Sequence, residues 1–442
     1  MYNVIIYLYL LGVAVTSLFN EKVRKMWRGE RDAIRVLREQ VDPNARYVWF
    51  HAASLGEFEQ GRPLMEQLRH DHPEYKILLT FFSPSGYEVR KNYEGADIIC
   101  YLPLDTITNA RRFLRTVRPV MAFFIKYEFW YNYLHILRHR GIPVYSVSSI
   151  FRPDQVFFRW YGRQYAHVLK CFTHFYVQNE ESCTLLGKIG ITNVTVVGDT
   201  RFDRVLQIKA AAKKLSIVEN LCPKPSPSRE GKPLPNPSPS REGGSPNKEK
   251  PKVFVAGSSW PPDEEIFIPW FKDHKDWILI IAPHVIAEDH LQQIERLLHA
   301  AGYTSHRYTA LTAQSPLPTW GGAGGEALII DCFGLLSSIY GYADVTYVGG
   351  GFGVGIHNTL EAAVWDVPVI FGPNNQRFRE AQGLKACGGG MEINGADDFS
   401  HIMQRFVDHP DVIRQLGEKS GQYVAQMTGA TRKILNEVKL GS

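Results

Sequence analysis

Two successive series of short β-branched or apolar runs, each run followed by a helical stretch, dominate this chain, and that alternation is what doubly wound parallel α/β sheets require. The first series is Tyr47–Ala52, Lys76–Phe82, Ile98–Leu102, Val120–Ile125, Val144–Val147, Phe172–Val177 and Val194–Val197. The second is Val253–Gly257, Trp277–Pro283, Tyr303–Tyr308, Ala327–Asp331, Asp344–Gly349 and Val367–Gly372. Each series fills one Rossmann-like domain, and 442 residues accommodate two such cores. Between them, Pro223–Lys250 is rich in Pro, Ser, Gly and charge and carries PSPSREG twice, at Pro225–Gly231 and Pro237–Gly243. That composition cannot bury a core, so the segment reads as a disordered linker.

The N-terminal end adds a different signal. No charged residue occurs from Met1 to Asn20, and Lys22, Arg24, Lys25, Arg28 and Arg31 follow. Such an order reads as a membrane anchor with its basic flank on the cytoplasmic side, not as a cleaved leader, which wants its positive charge first. The basic flank also suits anionic lipid headgroups. The expected organisation is therefore an anchor at 1–20, an N-terminal Rossmann-like domain at 21–210, a linker at 211–250 and a C-terminal Rossmann-like domain at 251–442.

Composition excludes several classes. Apolar residues at 44% and charged residues at 21% describe a globular chain, neither wholly disordered nor polytopic. A formal charge of +5 over this length does not call for nucleic acid as a partner. Six scattered cysteines form no C-x-x-C pair and no metal-ligand spacing, which favours a reducing compartment and predicts no metal site.

Candidate chemistry sits where strands end. His51-Ala-Ala-Ser54-Leu-Gly56-Glu57 follows the first strand and leads into a helix, so Glu57 is placed to act as a general base, with Ser54 and Gly56 on the same turn. Read blandly, Glu57 is an acid in a first helical turn, favoured there by the helix dipole. Lys126-Tyr-Glu128-Phe-Trp130 ends the strand Val120–Ile125 and brings a second carboxylate, Glu128, to the same sheet edge.

In the second half, Gly349-Gly350-Gly351-Phe-Gly353-Val-Gly355-Ile-His357-Asn358-Thr-Leu-Glu361 follows a strand. Glycines there admit a ligand close to the backbone, and the following helix start offers N–H groups to a phosphate. Neither the dinucleotide spacing nor a P-loop is present. Asn358 and Glu361 are placed to cap the helix or to meet a ribose. Gly257-Ser258-Ser259-Trp260 and Ala282-Pro283-His284 end the two preceding strands and line the same edge. Ser258 or Ser259 could bond a phosphate or cap a helix, and a protonated His284 could hold an anion.

These residues closely resemble the Kdo (3-deoxy-D-manno-octulosonic acid) transferases. The resemblance is carried by His51–Glu57, Thr80–Gly86, Tyr101–Asp105, Arg118–Pro119, Glu128–Trp130, Gly198–Asp203, AGSSW, IAPH, GGGFGVGIHNTLEAA and Val367–Pro373, in that order. It implies a GT-B glycosyltransferase with two Rossmann-like domains facing a cleft, on the cytoplasmic face of the inner membrane. It further implies inverting transfer of Kdo from CMP-Kdo to a lipid A precursor, without a metal or other cofactor. By the same resemblance Glu57 is the general base and Glu128 a second essential carboxylate. CMP-Kdo is expected at Gly257, Ser258, Ser259, Pro283, His284, Gly350, Gly351, Gly353, Asn358 and Glu361, and the acceptor at Ser54 and Gly56. The chain departs from the family pattern at Lys126, where an acid is common, at His284, where Arg is common, and at Gly334-Leu335-Leu336. Competing expectations are a GT-B-type sugar-nucleotide 2-epimerase and an inactive membrane-tethered binding protein.

Overall fold

Strand β1 (Arg46–Ala52) is buried on both faces from Tyr47 onward, as a central parallel strand covered by helices must be. It is flanked by β2 (Tyr75–Phe81) and β4 (Met121–Ile125), and β3 (Ile98–Tyr101), β5 (Val144–Ser149), β6 (His174–Val177) and β7 (Val194–Val196) complete a seven-stranded parallel sheet in the order β3-β2-β1-β4-β5-β6-β7. Alternate residues serve opposite faces. Trp49 and Phe124 pack with Phe113 and Tyr133 on one side, while Val48, Phe50, Leu79 and Phe123 pack with Phe58 and Leu64 on the other.

A second sheet repeats this logic with β8 (Lys252–Ser259), β9 (Trp277–Pro283), β10 (Tyr303–Arg307), β11 (Gly325–Ile329), β12 (Val345–Val348), β13 (Val369–Phe371) and β14 (Gly390–Glu392), ordered β10-β11-β9-β8-β12-β13-β14. All its pairings are parallel. Sequence periodicity misses β14: three residues, Gly-Met-Glu, carry no run long enough to register. In each sheet the strand order reverses at one place, between β1 and β4 and between β8 and β12, and crevices at such points receive ligands in open α/β sheets.

The computed structural model describes residues 2–221, 251–311, 325–353 and 355–438, so the repeat-bearing linker Pro223–Lys250 lies outside the described residues. Two compact units result, Met1–Arg204 with Met427–Ser442, and Val205–Gln426. The division falls earlier than the expected linker, and the end of the chain belongs to the first unit, not to a domain running to 442. Asp203 explains the return: its carboxylate accepts the backbone N–H groups of Gly429 and Thr431 at 2.6 and 2.7 Å, satisfying the start of the helix Ala430–Glu437. Ala430, Ile434 and Val438 then join the cluster around Val48 and Phe50.

The apolar N-terminus does not form a membrane-crossing helix. Helix α1 (Tyr2–Thr16) spans only about 22 Å at 1.5 Å per residue, short of a bilayer core of about 30 Å. Among the described residues no helix is long and apolar enough to cross a membrane. The expected membrane anchor at 1–20 therefore finds no support in a membrane-crossing helix. Helix α1 instead docks on its own unit: Tyr2 donates to Asp105 at 2.6 Å and stacks on Tyr131, Asn3 accepts from Asn132, and Val13 packs on Met26 and Tyr101. Arg24, in the following helix α2 (Glu21–Gln40), donates to the carbonyls of Ser17 and Leu18 just past the end of α1. Val4, Ile5, Leu8, Leu11 and Val15, spaced as one helical face, remain exposed.

Candidate active site

The first constellation is built at the carboxyl ends of β1 and β4, neighbours in the sheet. Ser54 is the N-cap residue of α3 (Leu55–Asp71), yet its hydroxyl makes no cap bond and donates to the Glu57 carboxylate instead. Glu57 Oε1 lies 4.0 Å from Lys126 Nζ, and the Glu57 side chain keeps 17% of its surface exposed. A side chain at Gly56 would meet only the Ser54 hydroxyl, so packing does not demand glycine there, and its absence leaves room beside Glu57.

Lys126 takes a left-handed backbone, φ 67°, directly after β4. For a non-glycine residue that costs about 1–3 kcal/mol and persists only where surroundings enforce it. Here they do: its N–H donates to Val147 and its carbonyl accepts from Ser149. The turn carries the chain to Glu128, whose Oε2 accepts from Trp130 Nε1 at 2.7 Å and lies 3.2 Å from His51 Nε2. Glu57 and Glu128 thus sit at the ends of adjacent strands, as the sequence pattern predicts. Lys126, His51 and Thr80 are the residues whose part the pattern did not convey.

The second constellation lies at the carboxyl ends of β8 and β12. Asp263, fully buried, fastens it: the carboxylate accepts from Tyr347 Oη at 2.8 Å and from the N–H groups of Gly350 and Trp260 at 2.9 Å each. Burial pushes Asp263 above the usual carboxylate range, against these three donors. Gly350 needs its left-handed φ of 92°, and Gly351 lies so close to Gly372 that a Cβ would stand 2.5 Å from its Cα. A Cβ at Gly353 would meet only the Gly350 carbonyl, at 3.8 Å, and Gly350, Phe352 and Gly353 line a cleft of about 120 Å³ with Trp260, Pro262 and Asp263.

The remaining expected donor residues divide. Gly257 packs under the Tyr340 hydroxyl, and Ser258 adopts φ 53°. Ser259 is buried, its hydroxyl donating to Glu264, which also bonds His290, so it faces the interior. Neither serine caps the next helix, Pro261–Phe267, whose N-cap residue is Trp260. Pro283 ends β9, and the His284 ring stacks on both Trp260 and His357, with centroids 4.8 and 4.2 Å away. Burial lowers the His284 pKa, while burial and the neighbouring His284 push His357 down to about 4. The rings therefore form a neutral aromatic wall, and the expectation of a protonated His284 does not fit these surroundings.

Trp260 Nε1 donates to His357 Nε2 at 3.2 Å, extending that wall to the glycine-rich loop. Asn358 donates to Glu361 and accepts from the Leu360 N–H. The helix that follows is a single turn, Leu360–Ala363, much shorter than the sequence pattern implies, so the loop backbone rather than a helix dipole faces this edge. Among the described residues, no three His, Cys, Asp or Glu side chains are grouped as a metal-ligand set.

Several known proteins similar to this chain fall in one named group. Residues 27–204 match the family model described as 3-deoxy-D-manno-octulosonic-acid transferase (kdotransferase). The chain is 26% identical to a 3-deoxy-D-manno-octulosonic acid transferase of Rickettsia bellii over 99% of its own length and 94% of the relative's. It is 24% identical to the enzyme of that name from Haemophilus influenzae, over 90% of this chain and 87% of the other. Among solved structures, UDP-GlcNAc 2-epimerase from Neisseria meningitidis superposes with a TM-score of 0.57 at 13% identity, covering 88% of this chain and 98% of that one. At that identity the likeness concerns the fold alone, two parallel-sheet α/β domains of GT-B type. These matches make the chain similar, over most of its length, to enzymes named 3-deoxy-D-manno-octulosonic acid transferase, with the family model itself matching residues 27–204.

Proposed function

We propose that this protein transfers Kdo from CMP-Kdo to a hydroxyl of a lipid A precursor, with inversion at the anomeric carbon. The observation that carries the reading is Glu57: a carboxylate at the end of the central strand, bonded by Ser54, flanked by Lys126 and open to solvent over part of its surface. Glu57 takes the proton of the acceptor hydroxyl as its oxygen attacks the anomeric carbon, and CMP leaves from the opposite face. Glu128 supplies a second fixed acceptor at the same strand edge.

The CMP portion is assigned to the second unit. Trp260, His284 and His357 offer ring faces to a base, and the glycine-rich loop, with no side chain at Gly353, lets a phosphate approach its backbone closely. Asn358 and Glu361 are the groups proposed for the ribose. Ser258, Gly353 and Pro283 would border this ligand, while Gly257, Ser259, Gly350 and Gly351 act by shaping the loops.

Membrane contact is assigned to α1 lying on the surface of the inner membrane at its cytoplasmic face. The exposed apolar face of α1 supports this, as do the exposed basic residues Lys22, Lys25, Arg28 and Arg31. Incubation with CMP-Kdo and a lipid A precursor tests the reading. CMP release coupled to a heavier lipid is expected. Turnover of the sugar nucleotide without acceptor would favour an epimerase, and binding without turnover an inactive tether.

A further inference from the structure

Beneath Glu128 runs a hydrogen-bonded relay through the sheet. Trp49 Nε1 donates to Thr80 Oγ1 at 2.8 Å, Thr80 Oγ1 lies 2.9 Å from His51 Nδ1, and His51 Nε2 lies 3.2 Å from Glu128 Oε2. His51 and Thr80 are fully buried. The ring of His51 is held edge-on to Trp130 at 5.1 Å and to Phe124 at 5.7 Å, so its plane cannot swing freely.

A count of protons gives the relay its direction. The indole N–H only donates, and Thr80 has a single O–H to give. In one arrangement that O–H goes to His51 Nδ1, and Nε2–H donates to Glu128. In the other, Nδ1–H donates to Thr80, whose O–H turns to the Phe50 carbonyl at 3.3 Å. Nε2 then faces the carboxylate lone pair to lone pair, or the ring carries a second proton. The first contact is repulsive, and the second buries a full charge on the ring, a desolvation that pairing with Glu128 at 3.2 Å must offset and that the neutral ring avoids. The first arrangement also uses the shorter bond.

We infer that His51 is a positioning residue for Glu128, held by Thr80 as the neutral Nε2–H tautomer. Two N–H donors, His51 Nε2 and Trp130 Nε1, then occupy Glu128 Oε2. Glu128 Oε1 has no hydrogen-bond partner among the described residues and is the edge left for an incoming hydroxyl. A carboxylate pinned through one oxygen cannot rotate that edge away. The inference rests on the reading that Glu128 serves transfer.

Nitrogen-15 NMR of the His51 ring in the wild-type protein at neutral pH tests the tautomer directly: a protonated Nε2 with an unprotonated Nδ1 is expected. The reverse tautomer, or an imidazolium, would overturn the inference. Thr80→Val keeps shape and touches neither carboxylate, and it should lower kcat about 10- to 100-fold with KM little changed. His51→Phe should lose at least as much, and His51→Gln, whose amide N–H can stand where Nε2–H stood, should recover part. Wild-type kcat in folded Thr80→Val and His51→Phe proteins, or no recovery in His51→Gln, contradicts the role. Full activity in Glu128→Gln would instead remove Glu128 from the reaction while leaving the ring tautomer as observed, so the two failures are distinguishable.

Discussion

The Lys126 ammonium stands 4.0 Å from Glu57 Oε1, on a residue whose own backbone is forced into the left-handed region. At that separation, with both side chains partly exposed, the pair is worth about 1 kcal/mol or less. It orients the Glu57 carboxylate without sealing it, and the Ser54 hydroxyl fixes the carboxylate from another side. The departure from the family pattern at Lys126 therefore leaves the neighbouring acid accessible.

Asp263 holds three donors that reach it from separate elements, and removing it strands Tyr347 Oη and the Gly350 N–H in the interior. Asp263→Ala is expected to destabilise the protein by about 3 kcal/mol, since each buried orphan costs roughly 1–3 kcal/mol. CMP affinity should fall with it as the glycine-rich loop loosens. Urea unfolding and calorimetric titration with CMP measure the two effects. Unchanged CMP affinity in a folded Asp263→Ala protein would show that the loop holds its shape without this carboxylate.

Asp203 caps the last helix from a distant point in the chain. Asp203→Ala should cost about 1–2 kcal/mol, the range of a lost N-cap with its dipole interaction. Hydrogen exchange should report the loss first in Ala430–Glu437. Exchange there unchanged from wild type would show that apolar packing alone secures the helix.

Glu30, buried in α2 with Tyr9 of α1 within electrostatic reach, accepts from the Leu104 N–H, and one of its oxygens has no partner. Burial pushes its pKa up to about 8 from an ordinary 4.5. The unfolded chain therefore releases this proton first, and stability falls as pH rises from about 4.5 to about 8, then levels once both states are ionised. Glu30→Gln removes that dependence. Its unfolding free energy should exceed wild type by as much as a few kcal/mol at pH 8 and match it near pH 4.5. An equal difference at both pH values would contradict the assignment.

The exposed face of α1 predicts surface binding. Replacing Leu8 and Leu11, both more than half exposed, by Asp should weaken flotation with anionic phospholipid vesicles at least tenfold while leaving thermal stability within about 0.5 kcal/mol. Undiminished vesicle binding would remove α1 from the contact.

Much of this organisation is legible in the sequence, because buried parallel strands write themselves as apolar runs. Thirteen of the strands lie within the ranges read from the sequence or overlap them, and the site carboxylates Glu57 and Glu128 fall where those runs end. What escaped is what depends on partners far apart in the chain. Asp263 reads as an ordinary helix-start acid, and only the fold brings Tyr347 and Gly350 to it. His51 stood inside a recognised motif without a role, since Thr80 and Glu128 reach it from neighbouring strands. The apolar start reads as a membrane anchor because hydropathy counts residues, whereas the helix stops at Thr16 and docks through Tyr2 and Val13.

The central claim is that Glu57 is the base, and the most direct measurement is transfer by folded Glu57→Gln protein that still binds CMP. Heavier lipid and released CMP should fall at least 10²-fold, the lower bound for losing a general base, with CMP affinity unchanged. Transfer at a rate near wild type would contradict the account.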